Sequence, residues 1–175
     1  SRLLLAFLLC MAGILVLFGF NSLAKYKEAK FAQLRIPCAL MVYDAPEPRQ
    51  AEALFIGDSR VKEWEELPVR LGVPVNLGVS GETSHESLCR FRRLHTDYLN
   101  AKYAVVLTGI NDLVIASMMN EGRKETVSSV LDNIGEIIHI ALSRKLKVIV
   151  ISPPPPISPD ILRKFLWGEG INESS

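Results

Sequence analysis

Three short motifs, each placed directly after an apolar run, contain the residue types that acyl transfer requires. Ser59 supplies a hydroxyl nucleophile. Its own amide, the Gly81 amide and the Asn111 side-chain amide could together stabilise negative charge on an acyl oxygen. In combination and in this order the motifs predict a serine beside an oxyanion hole, although each alone fits an ordinary turn, loop or helix N-cap. They read Gly-Asp-Ser at 57–59, Gly-Val-Ser-Gly-Glu-Thr at 78–83 and Gly-Ile-Asn-Asp at 109–112.

Supporting residues flank these three groups. Gly57 permits a tight turn before Ser59, and Asp58 and Asp112 stand beside the predicted nucleophile and oxyanion donor. No cofactor or metal is implied, because no group of His, Cys and carboxylate residues has ligand spacing.

The elements that must position these residues follow an alternating pattern. The short apolar runs read as strands buried on both faces, as in a parallel sheet, and apolar stripes at helical spacing read as crossover helices. The pattern predicts a doubly wound α/β fold, in which ligands bind outside the carboxyl ends of the strands, where all three motifs fall. Arg90, Arg92 and Arg93 are interpreted as the solvated face of one crossover helix. The predicted strands are 53–56, 73–77, 103–107 and 148–151, and the predicted helices are 84–98 and 127–141.

The N-terminus is strongly apolar. Residues 3–20 carry no charge, and residues 1–24 as a helix reach across a hydrocarbon core of roughly 30 Å, which predicts a transmembrane helix. A secretory signal peptide is the alternative. Residues 25–50 are expected to form a juxtamembrane helix and a linker containing prolines, followed by one domain over 51–175. The lysines after the helix favour a cytoplasmic domain, but charges preceding residue 1 would also count, so the side stays open.

Composition excludes some functions. The chain of 175 residues has a formal net charge of +1, which gives no field that favours nucleic acid. Cys10 lies in the apolar run, and Cys38 and Cys89 are expected to pair only by chance, so no disulfide framework is predicted.

Residues 51–156 resemble the SGNH hydrolases, also called the GDSL esterase/lipase family, in the first three motif blocks. The resemblance implies a flavodoxin-like three-layer α/β/α fold. Ser59 is similar to the family nucleophile, and Gly81 and Asn111 are similar to its oxyanion donors. It also implies acyl or acetyl esters as substrates. Arg60 stands where the family motif usually has leucine.

The fourth block of that family is absent, so the domain is expected to be C-terminally incomplete. No Asp-x-x-His follows Asn111, and the only histidines are His85, His95 and His139. His85, near a helix N-terminus that favours neutral imidazole, is the one candidate for a relocated general base. The other two are interpreted as surface or packing residues.

Two functions from different classes follow. The first is a membrane-anchored serine ester hydrolase that is nearly inert as a 175-residue chain, because it lacks its base. The second is a non-catalytic accessory subunit of a larger integral membrane complex, for example a respiratory or photosynthetic one. The expected partners are the lipid bilayer, other membrane subunits and, for the enzyme, an acyl ester.

Overall fold

The computed structural model describes residues 2–41, 50–94, 98, 100–118 and 122–152, with side chains from residue 7 onward. By its internal contacts the chain divides into two compact units, Ser1–Gln33 and Leu34–Ser175. The C-terminal tetraproline and the residues that follow it lie outside the described part, as does His95.

The first unit is a single helix, α1, spanning Arg2–Gln33. Its segment Phe7–Gln33 is long and apolar enough to cross a membrane, a property that signal sequences share. Apolar side chains such as Leu17 and Phe18 are 70% and 71% exposed. The helix continues without interruption from Lys25 to Gln33.

The second unit is built on a four-stranded parallel sheet of order β2-β1-β3-β4. Gly57 at the end of β1 lies opposite Gly78 of β2 on one side and Leu107 of β3 on the other. The first three strands are therefore neighbours, as the shared site requires. The elements are β1 (Ala53–Gly57), α2 (Ser59–Lys62), β2 (Pro74–Gly78), α3 (Ser84–Arg93), β3 (Tyr103–Leu107), α4 (Ile110–Ser117), α5 (Arg123–Ser143) and β4 (Lys147–Val150).

Along β1 and β3 both faces of the sheet are covered, because successive strand residues alternate between two apolar clusters. On one face Ile56 and Val106 pack with Phe91 of α3 and Ile137 of α5. On the other face Phe55 belongs to a second cluster that includes Val61 of α2 and Trp64. The α/β architecture with a parallel sheet is thus confirmed.

Two glycines allow close approach at the β1–β2 edge. A Cβ on Gly78 would overlap the backbone of Lys62, and one on Gly57 would overlap the carbonyl of Leu107. The side chain of Asn76 donates to the Val61 carbonyl at 2.7 Å, which ties α2 to β2. Since only glycine permits this spacing, α2 is held directly against the end of β2, and the end of β1 directly against that of β3.

Two features differ from the sequence predictions. Helix α4 was not anticipated, because its eight residues are too few to show a helical period. Strand β4 was expected to be buried on both faces, but Ile149 and Val150 are 40% and 47% exposed. Among the described strands β4 is an edge strand with β3 as its neighbour, and apolar composition alone does not show whether a strand is covered.

Candidate active site

The three motif loops leave the sheet side by side. The amide of Val79 donates to the carbonyl of Gly57 at 2.9 Å, and the amide of Asp58 donates to the carbonyl of Leu107 at 3.4 Å. These two hydrogen bonds join the first loop to the second and third. The sequence motifs therefore emerge at one edge, the carboxyl ends of β1, β2 and β3.

Ser59 is the first residue of α2 and is half-buried. Asp58 caps this four-residue helix by accepting a hydrogen bond from the amide of Arg60. The amides of Val61 and Lys62 donate to the Asp58 carbonyl, both at 3.1 Å. Within the described residues neither the Ser59 amide nor its hydroxyl forms a hydrogen bond, so both are left for a ligand.

Arg60 has a structural partner that the motif comparison did not suggest. Its Nε and Nη2 atoms donate to the two carboxylate oxygens of Asp58 at 2.9 and 2.7 Å. The Asp58 side chain is fully buried, whereas that of Arg60 is 24% exposed. This bidentate ion pair fixes the residue before Ser59, a role that leucine at this position could not fill.

Gly81 and Asn111, the predicted oxyanion donors, lie in the second motif loop and at the start of α4. Gly81 has a φ of +76°, and a Cβ there would meet no heavy atom within 4 Å, so the space beside its backbone is open. Asn111 Nδ2 donates one hydrogen to the carbonyl of Glu82 at 2.8 Å. An amide nitrogen carries two hydrogens, so the second remains for a substrate oxygen. That both donors act on one acyl oxygen stays a prediction.

Asp112 links the start of α3 to the start of α4. Its two carboxylate oxygens accept from the amide of Ser84 at 2.7 Å and from the Ser84 hydroxyl at 2.8 Å. The Ser84 oxygen also accepts from Asn133 of α5 at 3.0 Å. Burial raises the pKa of Asp112, and the two bonds from Ser84 oppose that rise. This link sets the position of the Gly81 loop relative to Asn111.

A buried ion pair supports the same loop, and it corrects one prediction. Arg90 is only 5% exposed, so its assignment to a solvated face is wrong, whereas Arg92 and Arg93 are exposed as predicted. Nε and Nη2 of Arg90 donate to the two carboxylate oxygens of Glu82 at 2.7 and 2.6 Å. Desolvation raises the pKa of Glu82, and Arg90 opposes this rise.

Among the described residues the predicted relocated base, His85, is hydrogen-bonded to a backbone carbonyl and not to Ser59. Its Nε2 lies 2.8 Å from the carbonyl of Ile36, and no hydrogen bond joins it to Ser59 in the part of the chain that the structure describes. His139 is exposed on α5, as expected. A general base therefore does not contact the Ser59 hydroxyl among the described residues.

The cysteines differ from prediction. Cys38 and Cys89 form a disulfide, although they are 51 positions apart, and only the fold reveals their proximity. One ligand atom each from Cys38, His85 and Cys89 lie within 4.8 Å of one another, a grouping that the spacing did not show. Cys10 is a free, exposed cysteine on α1.

Several solved structures are similar to this chain. A protein from Streptococcus pneumonia, provisionally assigned as a platelet activating factor, is 20% identical, with a TM-score of 0.52 over 90% of this chain and 69% of its own. The SGNH-hydrolase family esterase AlinE4 is 20% identical, with a TM-score of 0.49 over 63% of each chain. A GDSL-like lipase from Bacteroides thetaiotaomicron is 24% identical, with a TM-score of 0.42 over 75% of this chain and 58% of its own.

The likeness with a TM-score above 0.5 shows that this chain shares its fold with the streptococcal protein. No protein-family model matches the sequence, and no curated protein does. The chain spans 51% of the length of one matched acylhydrolase and 63% of AlinE4. At these identities the likeness concerns the fold alone, and the roles of Ser59, Gly81 and Asn111 stay predictions.

Proposed function

We propose that the chain is the membrane-anchored, SGNH-like part of a serine ester hydrolase, with Ser59 as nucleophile. The observation that carries the proposal is the junction of the three motif loops at one sheet edge, through the Gly57–Val79, Asp58–Leu107 and Asn111–Glu82 hydrogen bonds. In open parallel sheets this edge is where ligands bind. Helix α1, by its length and apolar character, is the proposed anchor.

In the proposed reaction the Ser59 hydroxyl attacks the carbonyl carbon of an acyl ester. The oxygen that becomes negative accepts hydrogen bonds from the Ser59 amide, the Gly81 amide and Asn111 Nδ2. The alcohol leaves, and water then hydrolyses the acyl-serine. These donors act only as charge develops, and loss of one typically costs about 10²–10³ in kcat.

Attack requires a base that removes the hydroxyl proton, because a serine hydroxyl is a weak nucleophile near neutral pH. His85 contacts the Ile36 carbonyl, and no Asp-x-x-His follows Asn111 in the 175 residues. We therefore propose that the active enzyme takes its base from residues other than these. The 175-residue chain alone should show trace hydrolysis at most.

The test compares the chain with the product of its complete coding sequence, using p-nitrophenyl acetate and butyrate. If that product contains an Asp-x-x-His, it should hydrolyse these esters, and Ser59→Ala should lower kcat by roughly 10⁴-fold or more. Ser129→Ala, on the exposed surface of α5, is the matched control and should leave the rate unchanged. Asn111→Ala should give an intermediate loss.

Three other results would contradict the proposal, each in a different way. Robust hydrolysis that survives Ser59→Ala would assign the activity to another group. Robust hydrolysis by the 175-residue chain that depends on both Ser59 and His85 would restore His85 as the base. A folded complete product without activity toward any short acyl ester would instead fit a non-catalytic accessory subunit.

A further inference from the structure

Residues 34–41, which we call the docking segment, are held against α3 by several independent contacts. The Nε2 atom of His85 lies 2.8 Å from the carbonyl of Ile36. Arg93 donates from Nη1 to the carbonyl of Met41 at 2.7 Å, and from Nη2 to the carbonyl of Cys38. Side chains of α3 thus satisfy three carbonyls of a segment that has little secondary structure of its own.

The disulfide completes this attachment. Cys89 is 1% exposed on α3, and its Cα lies 5.2 Å from that of Cys38, within the range that a disulfide spans without backbone movement. Because the flanking hydrogen bonds position the two cysteines from both sides, their proximity is a property of the folded docking segment rather than an isolated approach of two thiols.

A metal site is the competing interpretation of the same cluster. A structural zinc site usually takes four ligands, whereas the cluster found among the described residues offers Cys38, His85 and Cys89. A carbonyl oxygen can only accept, so His85 donates a hydrogen from Nε2 to Ile36, and this nitrogen, 3.7 Å from Cys89 Sγ, then has no lone pair for a metal, which leaves only Nδ1 of His85 as a ligand. The chemistry therefore favours the disulfide.

We propose that the globular unit functions on the oxidising, extracytoplasmic side of a membrane, where the Cys38–Cys89 disulfide closes. Closure by exchange with an oxidised dithiol protein is balanced: two thiols release two protons and two electrons, and the donor disulfide becomes two thiols. Such bonds persist in oxidising compartments and are rare in the cytosol. Export also agrees with α1, which has the properties of either an anchor or a signal sequence.

This inference is independent of hydrolytic activity, and it reverses the orientation that the charges after the helix favour. The positive-inside tendency depends on all the charges that flank a helix, including any before residue 1. The disulfide, in contrast, depends on an oxidant that one side of the membrane supplies.

The experiment uses the full chain in a bacterial host, with Cys10→Ser to leave two cysteines. Cells are quenched in acid, and the denatured protein is treated with maleimide-polyethylene glycol. We expect no tag without reductant and two tags after reduction, while Cys38→Ser in the same background should carry one tag without reductant. Protease added to spheroplasts should digest the globular unit.

Two tags without reductant would overturn the proposal, whatever the protease result. Protection of the globular unit until the spheroplasts are lysed would overturn it as well. Zinc that co-purifies in equimolar amount with both thiols free would assign the cluster to a metal. Because labelling is done after denaturation, burial of a free thiol in the folded protein does not affect the readout.

Discussion

Replacing Asp112 with alanine should lower the free energy of unfolding by about 3 kcal/mol. The substitution removes two hydrogen bonds to a carboxylate, from the Ser84 amide at 2.7 Å and the Ser84 hydroxyl at 2.8 Å. Bonds to charged groups contribute about 1.5–3 kcal/mol each. We take the lower end, because the change also removes the cost of burying the carboxylate. The Ser84 oxygen keeps Asn133 as a donor.

Urea unfolding in mild detergent, followed by tryptophan fluorescence, provides the assay, since Trp64, one of two tryptophans, packs edge-on against Phe55 of the core with ring centroids 6.0 Å apart. For a slope of about 2 kcal/mol per M, the midpoint should fall by about 1.5 M. Asp132→Ala, exposed on α5, is the matched control and should shift it little. A shift for Asp112→Ala no larger than that of the control would refute this account of the link.

The same residue predicts a pH dependence. Burial raises the pKa of Asp112 in the folded state, so the folded protein holds this proton more tightly than the unfolded chain does. The stability gained from this tighter proton binding is complete below the unfolded pKa of about 3.9, and is lost as pH rises through the folded value. The unfolding free energy of wild type relative to Asp112→Asn should therefore decline with rising pH across this window. A difference that grows instead would contradict the assigned direction.

Two further pairs of substitutions, each with its own control, test the support of the motif loops. Arg90→Met should cost about 3–5 kcal/mol, because it leaves the buried Glu82 carboxylate without its cation, whereas Arg92→Met on the exposed side of α3 should cost less than about 1 kcal/mol. Gly78→Ala should destabilise the fold, because the new Cβ overlaps the backbone of α2, while Gly135→Ala, with no atom near its Cβ, should stabilise α5 by about 0.5–1 kcal/mol. Chemical denaturation measures all four, and equal effects within either pair would count against the reasoning.

In this chain the sequence patterns predict where the strands lie better than they predict which neighbours cover them. The run at 103–107 coincides with β3, and the other strands agree to within a residue or so, because continuous apolar runs are typical of parallel strands. The exposure of β4 could not be predicted, since hydrophobicity reports what a strand can bury and not which neighbour covers it. The positions of the motifs at adjacent strand ends followed directly from the parallel topology.

The wrong predictions, for Arg90 and for the two paired cysteines, concern contacts with residues in another element or loop. Arg90 carries a charge within a helical pattern, which indicates solvent unless its partner is known, and Glu82 lies in the loop before the helix. Cys38 and Cys89 belong to segments whose contact depends on the packing of α3, and no local pattern reports it. In both cases the tertiary partner, rather than the residue type, decides whether the side chain is buried or bonded.

The covalent link between Cys38 and Cys89 also determines how the protein would carry mechanical load. Tension applied through α1 would pass from Cys38 directly to Cys89, so the chain between them, β1 and β2 included, would bear none of it while the bond is intact. With a sequence separation of 51, and about 3.5 Å of contour per extended residue, roughly 180 Å of chain would be withheld from the stretched length. An oxidised molecule pulled to full extension would therefore be shorter than a reduced one by that amount, and the pull would bypass the serine loop.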